Sequence, residues 1–200
     1  MKKQRVAVLG STGSIGVNTL DVIARHPDRF EVVALTAATQ VDVMLAQCVQ
    51  FKPRVAVMAS APHARELAEK IKQKGLTTQV DQAPEAIESV ACSGEVDTVM
   101  AAIVGAAGLA PCLAAARAGK HVFIEKPFTM TKASAEAAVA ACRAAGVVMA
   151  LGHNRRFLPA IAEMKAMLAD GRLGTLLHVE GQFSGPGAAA YTPGMWRANR

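Results

Sequence analysis

The strongest constraint on the fold of this 200-residue chain is a regular alternation of short apolar runs with longer segments of helical period. Short apolar runs are typical of parallel strands buried on both faces, and the segments between them are long enough for crossover helices. A further short strand at 77–80 fits between helices expected at 64–74 and 84–91. The pattern therefore predicts an α/β fold, a Rossmann-like doubly wound parallel sheet, with its main strands at Arg5–Leu9, Glu31–Leu35, Arg54–Met58, Thr98–Ala102, His121–Ile124 and Val147–Leu151.

The pattern changes after Leu151. A helix is expected from Pro159 to just before Gly171, with one apolar face made of Ile161, Met164, Met167 and Leu168. Residues 174–183 then alternate between apolar and polar side chains, which predicts a strand. We therefore expect one Rossmann-like domain at 1–152, followed at 153–200 by the incomplete start of a second domain that contains the first strand of its sheet. An unpaired strand of this kind also predicts a homodimer formed through 174–183.

Composition excludes several classes of protein. Apolar residues make up 52% of the chain, which is typical of a folded domain, and no apolar run approaches the length of a membrane span. We therefore expect a cytoplasmic protein with no membrane partner. The four cysteines contain no C-x-x-C pair, so no metal site is predicted. The net charge of +6 is scattered and aromatic residues are only 4%, so nucleic acid ranks last as a partner and an anionic small molecule accounts for the charge equally well.

A glycine motif, VLGSTGSIG, lies between the first predicted strand and the first predicted helix. In this context Gly10 permits a tight turn, Gly13 lets the backbone approach a pyrophosphate, and Gly16 lets the helix pack closely. The helix N-terminus adds free N–H groups and a partial positive charge. The spacing, G-x-x-G-x-x-G, differs from the commonest dinucleotide fingerprint but predicts the same type of site.

The end of the second strand bears on the choice of cofactor. NAD-specific sites usually carry an acidic residue there for the ribose hydroxyls, whereas this chain has ALTAATQ, with no carboxylate before Asp42. Thr36, Thr39 and Gln40 could donate hydrogen bonds to a 2'-phosphate. The sequence therefore favours NADP as cofactor, with NAD as the alternative.

Residues 5–120 closely resemble the NADPH-binding domain of the 1-deoxy-D-xylulose 5-phosphate reductoisomerase family. The resemblance is carried by LGSTGSIG, TLDVIARHPDRF, VVALTA and VDTVMAAIVGAAGLAPCLAAARAGK. It implies that NADPH is contacted by Thr12, Gly13, Ser14 and Ile15. The chain departs from that family at 38–40, where Ala-Thr-Gln replaces a basic loop, and after Lys120, where the acidic metal site of the family does not follow.

Residues 119–200 instead resemble the Gfo/Idh/MocA family of NAD(P)-dependent oxidoreductases, through EKP and GHNRRF. The chain is thus chimera-like, with the change of family near 119–120. The second resemblance implies that Lys126 lies near the nicotinamide and hydrogen-bonds the reacting oxygen of a sugar, polyol or sugar phosphate, a placement that suits stabilisation of alkoxide charge. It implies that Glu125, Asn154 and Arg155 lie near the cofactor.

Several interpretations follow from the two resemblances. We expect an NAD(P)H-binding domain of oxidoreductase type, with NADPH favoured, that is incomplete for catalysis. The alternatives are a reductoisomerase-derived fragment, a Gfo/Idh/MocA-type sugar or polyol dehydrogenase, and a non-catalytic structural or dimerising module. For the residues themselves the plain alternative is an exposed Lys126 paired with Glu125, and a solvated polar loop at 153–156.

Overall fold

A computed structural model of the chain describes residues 2–103, 108–182 and 192. Strands and helices alternate along its first 151 residues. The strands are β1 (Gln4–Leu9), β2 (Phe30–Ala37), β3 (Val55–Met58), β4 (Gln79–Gln82), β5 (Thr98–Ala101), β6 (His121–Ile124) and β7 (Met149–Leu151). The helices are α1 (Ser14–Arg25), α2 (Val41–Phe51), α3 (Ala61–Gln73), α4 (Glu85–Cys92), α5 (Leu109–Arg117), α6 (Lys132–Ala144) and α7 (Pro159–Ala169).

The described strands form one seven-stranded sheet in the order β4-β3-β2-β1-β5-β6-β7, and every neighbouring pair is parallel. At the centre, Val8 of β1 lies opposite Leu35 of β2 on one side and Met100 of β5 on the other. Strand order runs outward from β1 in both directions, so β1 and β5 flank the point where it reverses. The predicted Rossmann-like doubly wound fold is confirmed, and the crevice at this reversal is where such sheets bind their ligands.

Two apolar clusters cover the two faces of the sheet. One contains Val8, Leu35 and Met44, with Leu20 from α1. The other contains Leu9 and Val99 and extends through Cys112 of α5 to Cys142 of α6. The second cluster therefore includes residues from both sides of Lys120, and the core is continuous across this position.

Some boundaries differ from those predicted. β4 occupies Gln79–Gln82 instead of 77–80, because the amide N–H of Gln79 donates to the Arg54 carbonyl at 2.8 Å and starts the pairing with β3 there. α3 begins at Ala61, three residues before its first buried side chain, because Ser60 takes the N-cap position and Pro62 fits the first turn. Both differences arise at element ends, where hydrophobic periodicity carries little information.

Residues 154–200 form a second compact unit, separate from the unit at 1–153. Its described part contains a 3-10 turn at Asn154–Phe157 and the helix α7. The predicted strand is not found: residues 174–182 have no regular structure, and Phe183 lies outside the described residues. The physical reason is that a strand needs hydrogen-bonding partners, and Leu177 and Val179 instead stand 91% and 69% exposed. Within the described ranges, no helix is long and apolar enough to cross a membrane.

An ion pair joins β1 to the residue that precedes β5. Asp97 Oδ2 accepts hydrogen bonds from the backbone N–H and the Nε of Arg5, both at 3.0 Å, and Oδ1 accepts from Nη2 at 2.7 Å. These bonds to Arg5 hold the pKa of the Asp97 carboxyl well below its usual range. Because the folded-state pKa is lowered, the pair stabilises the fold above the unfolded pKa of about 3.9, and that contribution is lost as pH falls.

We expect Asp97→Asn to lower the melting temperature by roughly 2–4 °C at neutral pH, because it removes a carboxylate that accepts three hydrogen bonds. The difference from the wild type should shrink as pH is lowered below about 4, where the Asp97 carboxyl of the unfolded chain becomes protonated, and should vanish once pH falls through the lowered pKa of the folded state. Melting curves across pH measure both effects. Asp21→Asn is the matched control, since its pair with Arg25 is more exposed. Equal losses in the two variants would contradict the assigned role.

Candidate nucleotide-binding site

A tight turn follows β1 and leads into α1. Gly10 has φ +80°, a left-handed conformation that favours glycine, and a Cβ there would lie 3.1 Å from the Ala102 carbonyl oxygen. The N–H of Gly10 donates to Thr36 Oγ1 at 2.9 Å, and the N–H of Ser11 donates to the Thr36 carbonyl at 2.8 Å. The end of β2 therefore holds the turn from one side.

Gly16 and Gly13 are glycine for different reasons. A Cβ on Gly16 would lie 2.4 Å from the Gly10 carbonyl oxygen, so only glycine lets α1 pack against the turn. A Cβ on Gly13 would lie 3.6 Å from that same oxygen, an ordinary contact, and its φ of −77° suits any residue. Nothing among the described residues requires glycine at 13. The bare backbone there leaves room for a group that is not part of the chain.

The N-terminus of α1 is open at this position. Gly13 occupies the N-cap, where no side chain accepts a hydrogen bond from the first turn, and no acidic residue lies in that turn. The leading N–H groups of Ser14, Ile15 and Gly16 therefore lack the usual side-chain cap. Ser14 is exposed, whereas the partly buried Ile15 side chain packs on the core cluster. Such an end attracts anions.

A cleft of about 300 Å³ opens beside the turn. It runs from the glycine turn along the end of β2 to the residue after β3, and Ile87 and Ile103 supply part of its apolar wall. The turn contributes Gly10, Thr12 and Gly13, and the β2 end contributes Thr36, Ala37, Ala38 and Gln40. The structure thus brings most of the cofactor-binding residues predicted in the glycine turn and the β2 loop together around one cavity at the carboxyl ends of the strands.

The residues predicted to select the cofactor have unequal roles. Thr36 is only 3% exposed, and its hydroxyl oxygen accepts the Gly10 N–H, so this side chain supports the turn instead of standing in the loop. Thr39 and Gln40 are exposed and precede α2, with Gln40 at its N-cap. No lysine, arginine or acidic side chain is among the described residues that line the cleft.

The carboxyl end of β6 carries Glu125 and Lys126. Glu125 is half-buried and lies against Gly152: a Cβ built on Gly152 would lie 2.6 Å from Glu125 Oε1. Glu125 Oε2 accepts a hydrogen bond from the backbone N–H of Lys126 at 3.1 Å. The Lys126 side chain is exposed, and within the described part of the chain no carboxylate forms an ion pair with it. The peptide bond between Lys126 and Pro127 is cis. The alternative of a Glu125–Lys126 ion pair is therefore wrong.

Asn154 and Arg155 belong to the second unit, in its 3-10 turn, and both are exposed. They are not among the residues that line the cleft of the first unit. Their predicted proximity to the cofactor stays a prediction.

Sequence reasoning missed one pair of polar residues beside the turn. Ser11 Oγ donates to Gln47 Oε1 at 2.7 Å, and Gln47 Nε2 donates to the Ser11 carbonyl at 2.9 Å, both within the protein interior. It also missed the contact of Gly152 with Glu125. A glutamine on the buried face of a predicted helix was the available signal for the first, because buried polar side chains need partners.

The cysteines and acidic residues supply no evident reactive centre. Burial raises the pKa of the Cys48 thiol to about 11 and that of Cys112 to about 12, so both stay protonated at neutral pH. Among the described residues, no three His, Cys, Asp or Glu side chains form a group that could hold a metal ion.

Solved structures with similar folds fall into two groups. A 1-deoxy-D-xylulose 5-phosphate reductoisomerase in complex with NADPH, fosmidomycin and magnesium is 32% identical, with a TM-score of 0.67 over 86% of this chain and 43% of its own. The WlbA dehydrogenase from Bordetella pertussis, in complex with NADH and UDP-GlcNAcA, is 21% identical, with a TM-score of 0.62 over 86% of this chain and 44% of its own. The second likeness shows a shared fold alone.

Sequence comparison identifies the family. The reductoisomerase from Janthinobacterium sp. (strain Marseille) is 47% identical over 182 residues, which cover 89% of this chain and 46% of the relative. This chain thus spans less than half the length of that relative. The family model for 1-deoxy-D-xylulose 5-phosphate reductoisomerase matches residues 6–127, well over half of the sequence. The chain therefore belongs to the 1-deoxy-D-xylulose 5-phosphate reductoisomerase family.

Proposed function

We propose that the chain is an NADPH-binding domain of the reductoisomerase family, with the pyrophosphate held at the glycine turn. The observation that carries this proposal is the bare backbone at Gly13, which the protein's own packing does not require. It lies beside the uncapped N-terminus of α1 and at the edge of a cleft. A negatively charged pyrophosphate fits these features, and NADPH is bound in a related structure of the family.

The cofactor-binding residues we propose are those of the turn and of the β2 loop. Gly10, Thr12, Gly13 and the backbone N–H groups of Ser14, Ile15 and Gly16 would bind the phosphates. Thr39 and Gln40 would donate hydrogen bonds near the 2'-phosphate, and the cleft lining carries no acid that would repel it. Because the loop carries no cation either, NADH is the alternative ligand, and NADPH should bind only moderately more tightly.

Lys126 is the proposed catalytic residue, acting on a sugar, polyol or sugar phosphate. It follows a strand at the carboxyl edge of the sheet, where an ammonium can stabilise negative charge that develops on a substrate oxygen. Glu125 fixes the backbone beside it. Asn154 and Arg155 are proposed to contribute from the second unit.

We propose that the chain is chimera-like, with a reductoisomerase nucleotide domain followed from near 119–120 by a Gfo/Idh/MocA-type segment. EKP and GHNRRF support the second part, and residues 153–200 would then be the start of a substrate domain. The acidic metal motif expected after Lys120 in the first family is replaced in this sequence. We therefore propose that the chain binds the nucleotide with little or no turnover.

Nucleotide binding is tested by calorimetric titration with NADPH and, separately, with NADH. We expect binding of NADPH with a dissociation constant on the order of micromolar. Gly13→Ala should weaken NADPH binding by about tenfold without lowering the melting temperature, because the new Cβ makes only an ordinary contact with the Gly10 carbonyl oxygen, at 3.6 Å, and otherwise enters the space proposed for the ligand. Gly13→Asp should abolish binding through charge repulsion.

Gly16→Ala is the matched control for Gly13→Ala. Its Cβ collides with the turn, so it should lower the melting temperature by several degrees, in line with about 1–3 kcal/mol for overpacking. No heat with either nucleotide from a chain shown to be folded would reject the proposed function.

The role of Lys126 is tested with Lys126→Met in the intact chain. Any NADPH oxidation that the wild type supports with sugars or sugar phosphates should fall by about 100-fold, while NADPH affinity stays the same. Lys132→Met, at an exposed lysine that begins α6, is the control. An unchanged oxidation rate in Lys126→Met would remove this residue from the mechanism.

A second candidate function, dimerisation, is favoured by one observation. Large apolar side chains stand exposed along the second unit, among them Leu158, Met164, Leu168, Leu173, Leu176, Leu177 and Val179. Exposed apolar surface of this kind marks contact sites. We propose that 174–183 joins a second copy of the chain.

Light scattering after size exclusion tests the dimer. We expect a mass twice that of the chain for the wild type and a shift to the monomer in Leu177→Glu combined with Val179→Glu, because two charges cannot be buried in an apolar contact. Val22→Glu is the control, since Val22 is 52% exposed on α1 in the first unit. A monomeric wild type would reject the interface.

A further inference from the structure

The glycine turn is held from two sides. On one side the backbone and hydroxyl of Thr36 accept the N–H groups of Gly10 and Ser11. On the other side the Gln47 amide meets both polar groups of Ser11 that remain: Nε2 donates to the carbonyl at 2.9 Å, and Oε1 accepts the hydroxyl at 2.7 Å. Ser11 is fully buried and Gln47 is 7% exposed.

The chemistry of the two bonds fixes the orientation of the amide. A backbone carbonyl can only accept, so the nitrogen of Gln47 must face the Ser11 carbonyl and the oxygen must face the Ser11 hydroxyl. The Gln47 amide satisfies the donor and the acceptor together. Because both partners are buried, losing the amide would leave the Ser11 carbonyl unsatisfied, or force the turn to rotate until that oxygen finds another donor.

A rotation of the Ser11 carbonyl would move the very part of the turn that faces the cleft. The peptide that begins with this carbonyl leads to Thr12 and then to Gly13, whose N–H donates to the Gly10 carbonyl at 3.3 Å. Thr12 and Gly13 line the cleft, whereas Gln47 does not. Gln47 can therefore change the geometry of the candidate phosphate site without touching a ligand there.

We propose that Gln47 is a positioning residue for nucleotide binding, acting through the Ser11 carbonyl to hold the glycine turn in its binding conformation. This inference rests on the proposed NADPH-binding function. The hydrogen bond from Gln47 Nε2 to the Ser11 carbonyl should matter for nucleotide binding, whereas the bond from the Ser11 hydroxyl to Gln47 Oε1 should matter much less. A residue that served only to attach α2 to the sheet would affect stability without affecting affinity.

The test compares four forms of the full chain by calorimetric titration with NADPH: the wild type, Gln47→Met, Ser11→Ala and Gln50→Met. Methionine matches the length and flexibility of glutamine and removes both hydrogen bonds. We expect Gln47→Met to weaken NADPH binding by about tenfold and Ser11→Ala, which keeps the bond to the carbonyl, by less than about threefold. Gln50→Met, an exposed position one turn along α2, should bind as the wild type does.

One further readout separates positioning from stability. The amide resonances of Thr12 and Gly13 in the ligand-free protein should shift in Gln47→Met and stay in place in Gln50→Met, which a purely stabilising role would not produce. If Gln47→Met fails to fold, the double variant Ser11→Ala with Gln47→Met replaces it, because it leaves fewer buried polar groups unpaired. The double variant should show the same tenfold loss.

Failure of the proposed NADPH-binding function and failure of the Gln47 inference would give different results. Absence of NADPH binding by the folded wild type overturns the proposed function and this inference with it. Binding by the wild type together with unchanged affinity in folded Gln47→Met, or in the double variant, overturns this inference alone. A tenfold loss in Gln47→Met with a small loss in Ser11→Ala supports it.

Discussion

The approach of α1 to the turn after β1 is the contact on which the candidate site depends. It exists because Gly16 has no side chain: a Cβ there would lie 2.4 Å from the Gly10 carbonyl oxygen. The approach places the N-terminus of α1 directly after Thr12 and Gly13, two residues that line the cleft. The turn is then fixed by Thr36 from β2 and by Gln47 from α2, so three elements cooperate to shape a backbone surface that carries almost no side chains.

The sheet was predictable from sequence because its central strands are buried on both faces. Buried parallel strands appear in a sequence as short runs of apolar residues, and each of the main predicted runs contains a strand of the sheet. β4 was harder because it is an edge strand with the polar sequence QVDQ, whose position is set by pairing with β3. At 174–183 a strand was predicted and none is found in the described residues 174–182. Alternating apolar and polar side chains indicate which face of a strand would be buried, but they do not supply the neighbouring strand that its backbone needs.

The candidate site was predictable only where one residue type by itself indicates the local backbone structure. Glycine spacing located the turn, since glycine is required by local backbone geometry at Gly10 and by close packing at Gly16. The partners of the turn could not be located in this way. Gln47 lies 36 positions from Ser11, and Glu125 meets Gly152 across two neighbouring strands. Such contacts depend on the register of distant elements, which the local pattern of a single sequence does not encode.

The core of the first unit is continuous through the middle of the chain. β5 pairs with β6 in parallel register, with Val99 opposite Val122 and Ala101 opposite Ile124, so the ladder crosses residue 120 without interruption. The helices that cover this part of the sheet are rich in alanine and bring Cys112, Ala115 and Cys142 into the same cluster. Small side chains at these contacts avoid the overpacking that larger ones would cause. A continuous strand ladder and small helix contacts therefore join residues on both sides of position 120 in one core.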